Sequence, residues 1–172
     1  DDQSWAHTSK EGYPLVSTPN FDQIANAGVY FKNAYASAPS CTASRSSILA
    51  GQHFWRLESA GVLWGEYPEK LVSYQQLLEA AGYSVGYTGK GWGPGKISNP
   101  TIQPAGKPYN SITRSIAPEL GQFDLVANFR AFLDKRESDQ PFSFWVGSFE
   151  PHRPFASFHA NRFVGEESLK HI

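Results

Sequence analysis

The sequence predicts an α/β fold in which a mainly parallel sheet lies between helices, and three observations predict it. Segments with apolar residues at helical spacing alternate with short period-two or apolar runs. The last such run, Phe142 to Phe149, is apolar nearly throughout, as in strands buried within a parallel sheet. Clusters of Cys, Lys, His and Asp fall at the ends of these elements, and ligands of open α/β sheets bind beyond the carboxyl ends of strands.

Each element has a local reason. Thr18-Pro19 suits a helix start, with Thr as N-cap and Pro at the first helical position. Phe21, Ile24 and Ala25 then recur at helical spacing, and Gly28 stops the run. Val29 to Ala36 is rich in aromatics with a rough alternation, so a strand is expected there. Cys41 to Ala50 reads as a second helix, with Ile48 and Leu49 turned to the core and Gly51 ending it. Ser73 caps a third helix whose buried stripe is Leu77, Leu78 and Ala81, and Gly82 closes it.

Tyr83 to Thr88 alternates at period two and leads into the turn Gly89-Lys90-Gly91. Gly, Pro, Asn and Ser dominate from Gly91 to Pro118, which predicts a long irregular loop. Phe123 to Asp134 is the clearest amphipathic helix, with Leu125, Val126, Phe129, Phe132 and Leu133 on one face. Pro141 then opens the apolar strand, which ends at Glu150-Pro151-His152. Trp5, Phe54, Trp55 and Trp64 are read as core or loop packing rather than a sugar platform.

Composition narrows the function. The chain has 172 residues, 40% of them hydrophobic, enough for one sizeable core. A net charge of −1 with no basic run argues against binding nucleic acid by phosphate neutralisation. No stretch approaches the roughly 18 apolar residues of a membrane span. A single cysteine excludes an internal disulfide and any multi-cysteine zinc site. The chain opens on Asp1-Asp2 without an initiator Met and contains no Met at all, so it is expected to be a processed or internal piece of a longer protein.

Four places carry chemistry-bearing residues. Cys41 stands at a helix start, where the dipole and free N–H groups favour a thiolate, and Arg45 returns to the same side one turn later. That pattern suits an activated nucleophile or an anion site; a small buried thiol beside an arginine is the alternative. Asp1 and Asp2 are adjacent hard oxygen donors of the kind that hold Ca²⁺ or Mg²⁺, or else solvated charge. Lys90 sits between glycines after a strand, placed to bind an anion or simply to face solvent. His152 ends a buried strand, where it can donate a proton or cap a loop.

The string Cys41-Thr42-Ala43-Ser44-Arg45, followed by a small-residue helix, resembles the signature of type I sulfatases. Other segments resemble that family in the right order: Asp1-Asp2, Thr18-Pro19-Asn20-Phe21-Asp22 with Phe31-Lys32-Asn33-Ala34-Tyr35, Thr88-Gly89-Lys90, and Phe149-Glu150-Pro151-His152-Arg153-Pro154-Phe155. The resemblance covers nearly the whole chain and implies the alkaline-phosphatase-like α/β sandwich, incomplete here. On it, residues 1–172 are the N-terminal portion of a single sulfatase catalytic domain, lacking its first strand and its C-terminal part.

The resemblance also implies roles. Cys41 would be converted to formylglycine (3-oxoalanine) by a formylglycine-generating or radical maturation enzyme, and its hydrate would attack sulfur. Arg45 would neutralise and orient that diol. Lys90 would bind sulfate oxygens, and His152 would protonate the leaving oxygen or bind sulfate. Asp1, Asp2 and the residue made from Cys41 would hold Ca²⁺ or Mg²⁺, with further ligands from later segments. Ala43 replaces the commoner proline of the signature, a known variant that leaves the maturation system open. Trp92 stands where the family usually has a histidine, and could stack on a sugar instead.

Arg153 beside His152 points toward the N-sulfoglucosamine (heparan N-) sulfatase-like branch and is a candidate substrate contact. The implied substrate is a sulfated carbohydrate, and the implied compartment periplasmic, secreted or lysosomal. Two rival readings stand beside this one. One is a phosphate mono- or diesterase of the same superfamily, disfavoured because those relatives use Ser or Thr as nucleophile. The other is a non-catalytic piece that binds anionic glycans; the isolated piece is expected to be inactive.

Overall fold

A computed structural model describes residues 1–114 and 122–152. They fall into two compact units, one of Asp1–Tyr35 with the described residues from Glu150 onward, the other of Ala36–Phe149. In the first unit a single 3₁₀ turn, Ser9–Glu11, precedes helix α1, Pro19–Ala27. The helix begins at Pro19 as expected, but Thr18 does not cap it with its side chain. The Thr18 hydroxyl donates instead to Asp22 Oδ1 (3.1 Å), and the Ser9 hydroxyl donates to Asp22 Oδ2 (2.7 Å). The Thr18 N–H is bound by Ser9 Oγ (2.8 Å), so three polar side chains tie the 3₁₀ turn to α1.

The expected strand over Val29 to Ala36 does not form. Val29, Phe31 and Tyr35 are exposed, and among the described residues no strand pairs with the segment. An extended run without a partner leaves its backbone groups to water, whatever its propensity. Ile24, on the expected inward stripe of α1, is also exposed.

In the second unit, α2 (Cys41–Ala50) is followed by two 3₁₀ turns, Phe54–Arg56 and Glu58–Gly61. Strand β1 (Glu66–Tyr67), α3 (Tyr74–Ala80), β2 (Ser84–Gly89), β3 (Lys96–Ile97), β4 (Lys107–Pro108), α4 (Leu125–Lys135) and β5 (Phe142–Gly147) come next. All the strand ladders among the described residues are parallel. β2 is the middle strand of the order β4-β2-β5, in full register with β5 from Ser84↔Phe142 to Gly89↔Gly147. β1 pairs separately with β3. The segment expected to be one irregular loop therefore contains two short strands. The predicted α/β fold with a parallel sheet between helices is the fold observed.

Two cores hold this unit. Phe129 and Phe132 of α4 meet Phe142 and Phe144 of β5, with Phe132 and Phe144 ring centres 4.5 Å apart and Tyr109 edge-on to Phe132. Leu57, Ala60, Tyr67 and Leu71 form the second core, against which Ala50, Trp92 and Ile97 pack. α4 begins two residues later than expected, because the Asp124 carboxylate accepts the N–H of Ala127 (2.9 Å) and sets the cap there.

The α3 stripe is a further correction. Ser73 caps it through a reciprocal box with Gln76, as its sequence position suggests. Leu77 and Ala81 nevertheless face outward, and Gln75 is the buried residue of this seven-residue helix. On α2, Leu49 is buried and Ile48 is exposed. Of the aromatics expected to pack in core or loops, Trp5, Trp55 and Trp64 are exposed and lie outside the core, Trp55 in the 3₁₀ turn Phe54–Arg56. No helix among the described residues is long and apolar enough to cross a membrane.

Candidate functional site

The second unit presents Cys41 on the first turn of α2. This helix buries small residues, Thr42, Ala43, Ser46 and Ser47, so it can sit close to its neighbours. Each buried hydroxyl has a specific partner. Thr42 Oγ1 donates to the Pro94 carbonyl (2.5 Å), Ser46 Oγ accepts from Trp92 Nε1 (2.8 Å), and Ser47 Oγ donates to the Ala43 carbonyl (2.9 Å). A buried hydroxyl costs free energy unless bonded, so this polar packing fixes the helix in one position. Ser40 is the N-cap in extended conformation and makes no capping bond. The first-turn N–H groups at Cys41 are thus not covered by a side-chain cap, and the positive end of the helix lies at the thiol.

Arg45 is buried, with 8% of its surface exposed. Its Nη1 donates to the Lys90 carbonyl (2.6 Å) and the Gly91 carbonyl (2.7 Å), and its guanidinium lies 5.7 Å from the Trp145 ring centre. Burial lowers its pKa from the usual value, and the nearby Cys41 charge opposes that fall. An arginine keeps its charge in proteins, so a fixed cation stands close enough to Cys41 to interact with it electrostatically.

Arg45 also fastens the Lys90 turn to α2, and four further bonds shape that turn. The Lys90 N–H donates to the Gly147 carbonyl (2.8 Å), and Trp145 Nε1 donates to the Lys90 carbonyl (3.1 Å). Asn110 Oδ1 accepts the N–H of Gly89 (2.7 Å), while its Nδ2 donates to the Gly89 carbonyl (3.1 Å). Gly89 has φ +74°, and a Cβ there would lie 2.0 Å from the Gly147 carbonyl oxygen, so the turn requires glycine. The structure therefore brings Cys41, Arg45 and Lys90 together. Trp92 sits beside them, but its indole N–H is held by Ser46 and its ring packs edge-on against Tyr67, 5.5 Å between centres.

The first unit gathers Asp1, Asp2 and His152. One ligand atom from each lies within 4.8 Å of the others. His152 Nε2 is 4.0 Å from Asp1 Oδ2 and 3.9 Å from Asp2 Oδ2. The backbone helps, because the Asp1 amino group donates to the Glu150 carbonyl (3.2 Å) and Asp2 adopts φ +61°, a conformation Asp tolerates. Two carboxylates and an imidazole match the donor set of a hard divalent cation in part. Sequence reasoning assigned His152 a role separate from the acidic pair; the structure puts it against both. Arg153 lies outside the described residues.

Asn110 was not singled out from sequence, and neither was Asn128. Asn128 is fully buried; its Nδ2 donates to the Ile112 and Asp124 carbonyls (2.8 Å each), and its Oδ1 accepts the Ile112 N–H (3.1 Å). Asn110 falls in a Gly/Pro/Asn-rich stretch that reads as loop, and Asn128 on a helix surrounded by apolar residues. The signal available was an Asn at an interior helical position, a poor helix former that needs a reason to be there.

Residues 1–169 match the family described as Sulfatase. The chain is 38% identical over 101 residues to an N-acetylgalactosamine-6-O-sulfatase of Bacteroides thetaiotaomicron, covering 55% of this chain and 20% of that protein. It is 35% identical over 95 residues to human arylsulfatase A (52% and 19%). It is 29% identical over 146 residues to human N-sulphoglucosamine sulphohydrolase (80% and 28%). The matched parts thus span less than a third of the length of these relatives.

Proposed function

The chain belongs to the sulfatase family, and from that premise we propose that it is the N-terminal portion of a single catalytic domain that hydrolyses a sulfate ester or sulfamate on a sulfated glycan. Relatives several times longer support the longer domain, and two relatives named for sulfated amino sugars support the glycan. The observation that carries the reading is the first turn of α2, where Cys41 meets an uncapped helix end, the buried Arg45 and the Lys90 turn.

Formylglycine made from Cys41 by a maturation enzyme would supply, as its hydrate, one hydroxyl to attack sulfur and a second whose deprotonation expels sulfate. Arg45 keeps a fixed positive charge near that residue and holds the Lys90 turn against α2. Lys90 then meets the sulfate oxygens as a second cation, preorganised by backbone bonds rather than by its own flexible stem. His152 gives its proton to the leaving oxygen as the bond to sulfur breaks. Trp92 keeps the helix and the turn in register through Ser46, and any contact it makes with a sugar uses the part of its ring that Tyr67 leaves open. Arg153 is retained as a candidate substrate contact.

Asp1 and Asp2, with His152 beside them, fit part of a shell for Ca²⁺ or Mg²⁺. A calcium ion takes about six to eight oxygens, so the remaining ligands belong to segments beyond this set. When bound, the cation would polarise a sulfate oxygen and offset developing negative charge. The reading carries with it a periplasmic, secreted or lysosomal setting, where sulfated glycans are met.

The test is mass spectrometry of the peptide spanning Cys41 and Arg45, from protein made together with a maturation enzyme. A lighter species that reacts with hydrazide reagents is expected. Sulfatase activity from protein whose Cys41 is wholly an unmodified thiol would overturn the mechanism.

A further inference from the structure

Among the described residues Trp5, Trp55 and Trp64 are the exposed tryptophans, and Trp55 has surroundings that the other two lack. Neither Trp5 nor Trp64 pairs with another aromatic ring among the described residues, and single exposed apolar side chains of that kind need no explanation. Trp55 is 65% exposed, yet His53 lies parallel to it, with ring centres 4.3 Å apart and 9° between planes. Phe54 meets the same indole at 77°, with 5.3 Å between centres. Trp55 is therefore backed by a second ring although it is not buried.

The 3₁₀ turn that carries Trp55 is anchored on both sides. The Phe54 N–H donates to Ser37 Oγ (3.1 Å), and Ser37 lies in the segment that leads into Cys41. The Arg56 N–H donates to the His53 carbonyl (3.0 Å), and the Leu57 N–H donates to the Phe54 carbonyl (3.1 Å). Leu57 is fully buried, in the core against which Ala50 of α2 packs. A Cβ on Gly61 would lie 2.3 Å from the Phe54 carbonyl oxygen, so the next turn is pressed against this one. A fixed backbone thus holds an indole at the surface, bonded to the segment that precedes the Cys41 helix. Among the described residues the indole N–H has no hydrogen-bond partner.

We propose that Trp55, backed by His53, is a stacking platform for a pyranose ring of the glycan. A β-gluco-configured ring presents a face of axial C–H bonds, and an indole face is the apolar surface that covers it. An indole already fixed in place loses little freedom when a ring stacks on it. Its N–H then donates to a ring hydroxyl or amide oxygen. That the stacked ring belongs to the substrate rests on the sulfatase reading. The stacking itself does not, because it uses neither Cys41 nor a metal.

Ligand-observed saturation-transfer NMR on the longer protein carrying this chain tests it, with methyl N-acetyl-β-glucosaminide as the probe. The probe carries no sulfate, so binding is read without turnover. Binding is expected, with saturation strongest on the axial protons of one ring face. Trp55→Ala should weaken it at least about tenfold, and Trp55→Phe, which keeps a ring, should lose less. Trp64→Ala removes a similarly exposed tryptophan that has no backing ring, and should leave binding unchanged. No binding, saturation spread evenly over both ring faces, unchanged affinity in Trp55→Ala, or an equal loss in Trp64→Ala would overturn the platform. With an active protein, Trp55→Ala should also raise KM for a sulfated sugar about tenfold, and an unaltered KM would overturn the link to the substrate. Absence of sulfate hydrolysis would leave a positive binding result standing.

Discussion

Lys90 and His152 are assigned different parts of one reaction, and substitution separates them. In a longer protein carrying this chain, Lys90→Ala should lower kcat/KM by about 10²–10³-fold on every sulfated substrate, because a fixed cation serves good and poor leaving groups alike. His152→Ala should cost about 10²–10⁴-fold on a sugar sulfate and far less on an activated aryl sulfate, whose leaving oxygen hardly needs a proton. Equal losses on both would remove the proton-donor role. Tyr67 offers a test of stability instead. Its hydroxyl is buried without a hydrogen-bond partner among the described residues, and burial raises its pKa to about 12. The unfolded tyrosine ionises near 10, so between about pH 10 and 12 the unfolded chain holds fewer protons and stability falls as pH rises. Tyr67→Phe should therefore flatten that alkaline loss. At neutral pH it should leave stability unchanged or raise it by about 1 kcal/mol, since an unbonded polar group is removed. Thermal melts of both proteins at pH 7 and pH 11 check this. At this scale the sequence marked Cys41, Arg45 and Lys90 as candidates by residue type and spacing, and the structure ties Arg45 of the Cys41 helix to the Lys90 turn. The sequence was silent where a residue acts through the backbone, as Arg45 does on the Lys90 turn.

The elements fall into those specified locally and those decided by partners. α2, α4 and β5 were legible as elements from Gly51, the apolar face of residues 125–133 and the Phe142–Gly147 apolar run. The Asp124 cap was missed, and β5, expected to be buried, leaves Phe142 and Val146 exposed. Val29 to Ala36 had strand composition but no partner strand among the described residues, and a strand is a property of pairing. α3 failed in its stripe for a related reason, since Gln75 rather than Leu77 is the buried residue. The end of β2 is where local and distant requirements coincide. Gly147→Ala would put a Cβ 2.0 Å from the Lys90 carbonyl oxygen, and backbone cannot move aside cheaply. Asn110→Ala would strip the Gly89 N–H and carbonyl of their side-chain partner. Each should destabilise the protein by roughly 1–3 kcal/mol in urea unfolding. Asn110→Asp, which can still accept from Gly89 but cannot donate, should recover only part of the loss. A neutral Gly147→Ala would show that the turn is looser than drawn.

At the scale of the molecule, the parallel sheet and small-residue helix bring the Cys41, Arg45 and Lys90 group together in one unit, while Asp1, Asp2 and His152 cluster in the other. The α/β class was legible because helical and strand periods alternate along the chain, a pattern that needs no knowledge of contacts. The acidic cluster was legible only in half, because nothing local marks His152 as a neighbour of the first two residues. Membership of the sulfatase family leaves one chemical question open to direct measurement, namely whether the anion cleaved is sulfate or phosphate. The most direct measurement of the central claim is the rate of hydrolysis of an aryl sulfate and of the matching aryl phosphate. It uses the longer protein carrying this chain, made with a maturation enzyme and supplied with Ca²⁺, beside its Cys41→Ala variant. The account predicts release of sulfate, much slower release of phosphate, and loss of sulfate release in Cys41→Ala. Phosphate release at an equal or greater rate, or sulfate release that survives Cys41→Ala, would contradict it.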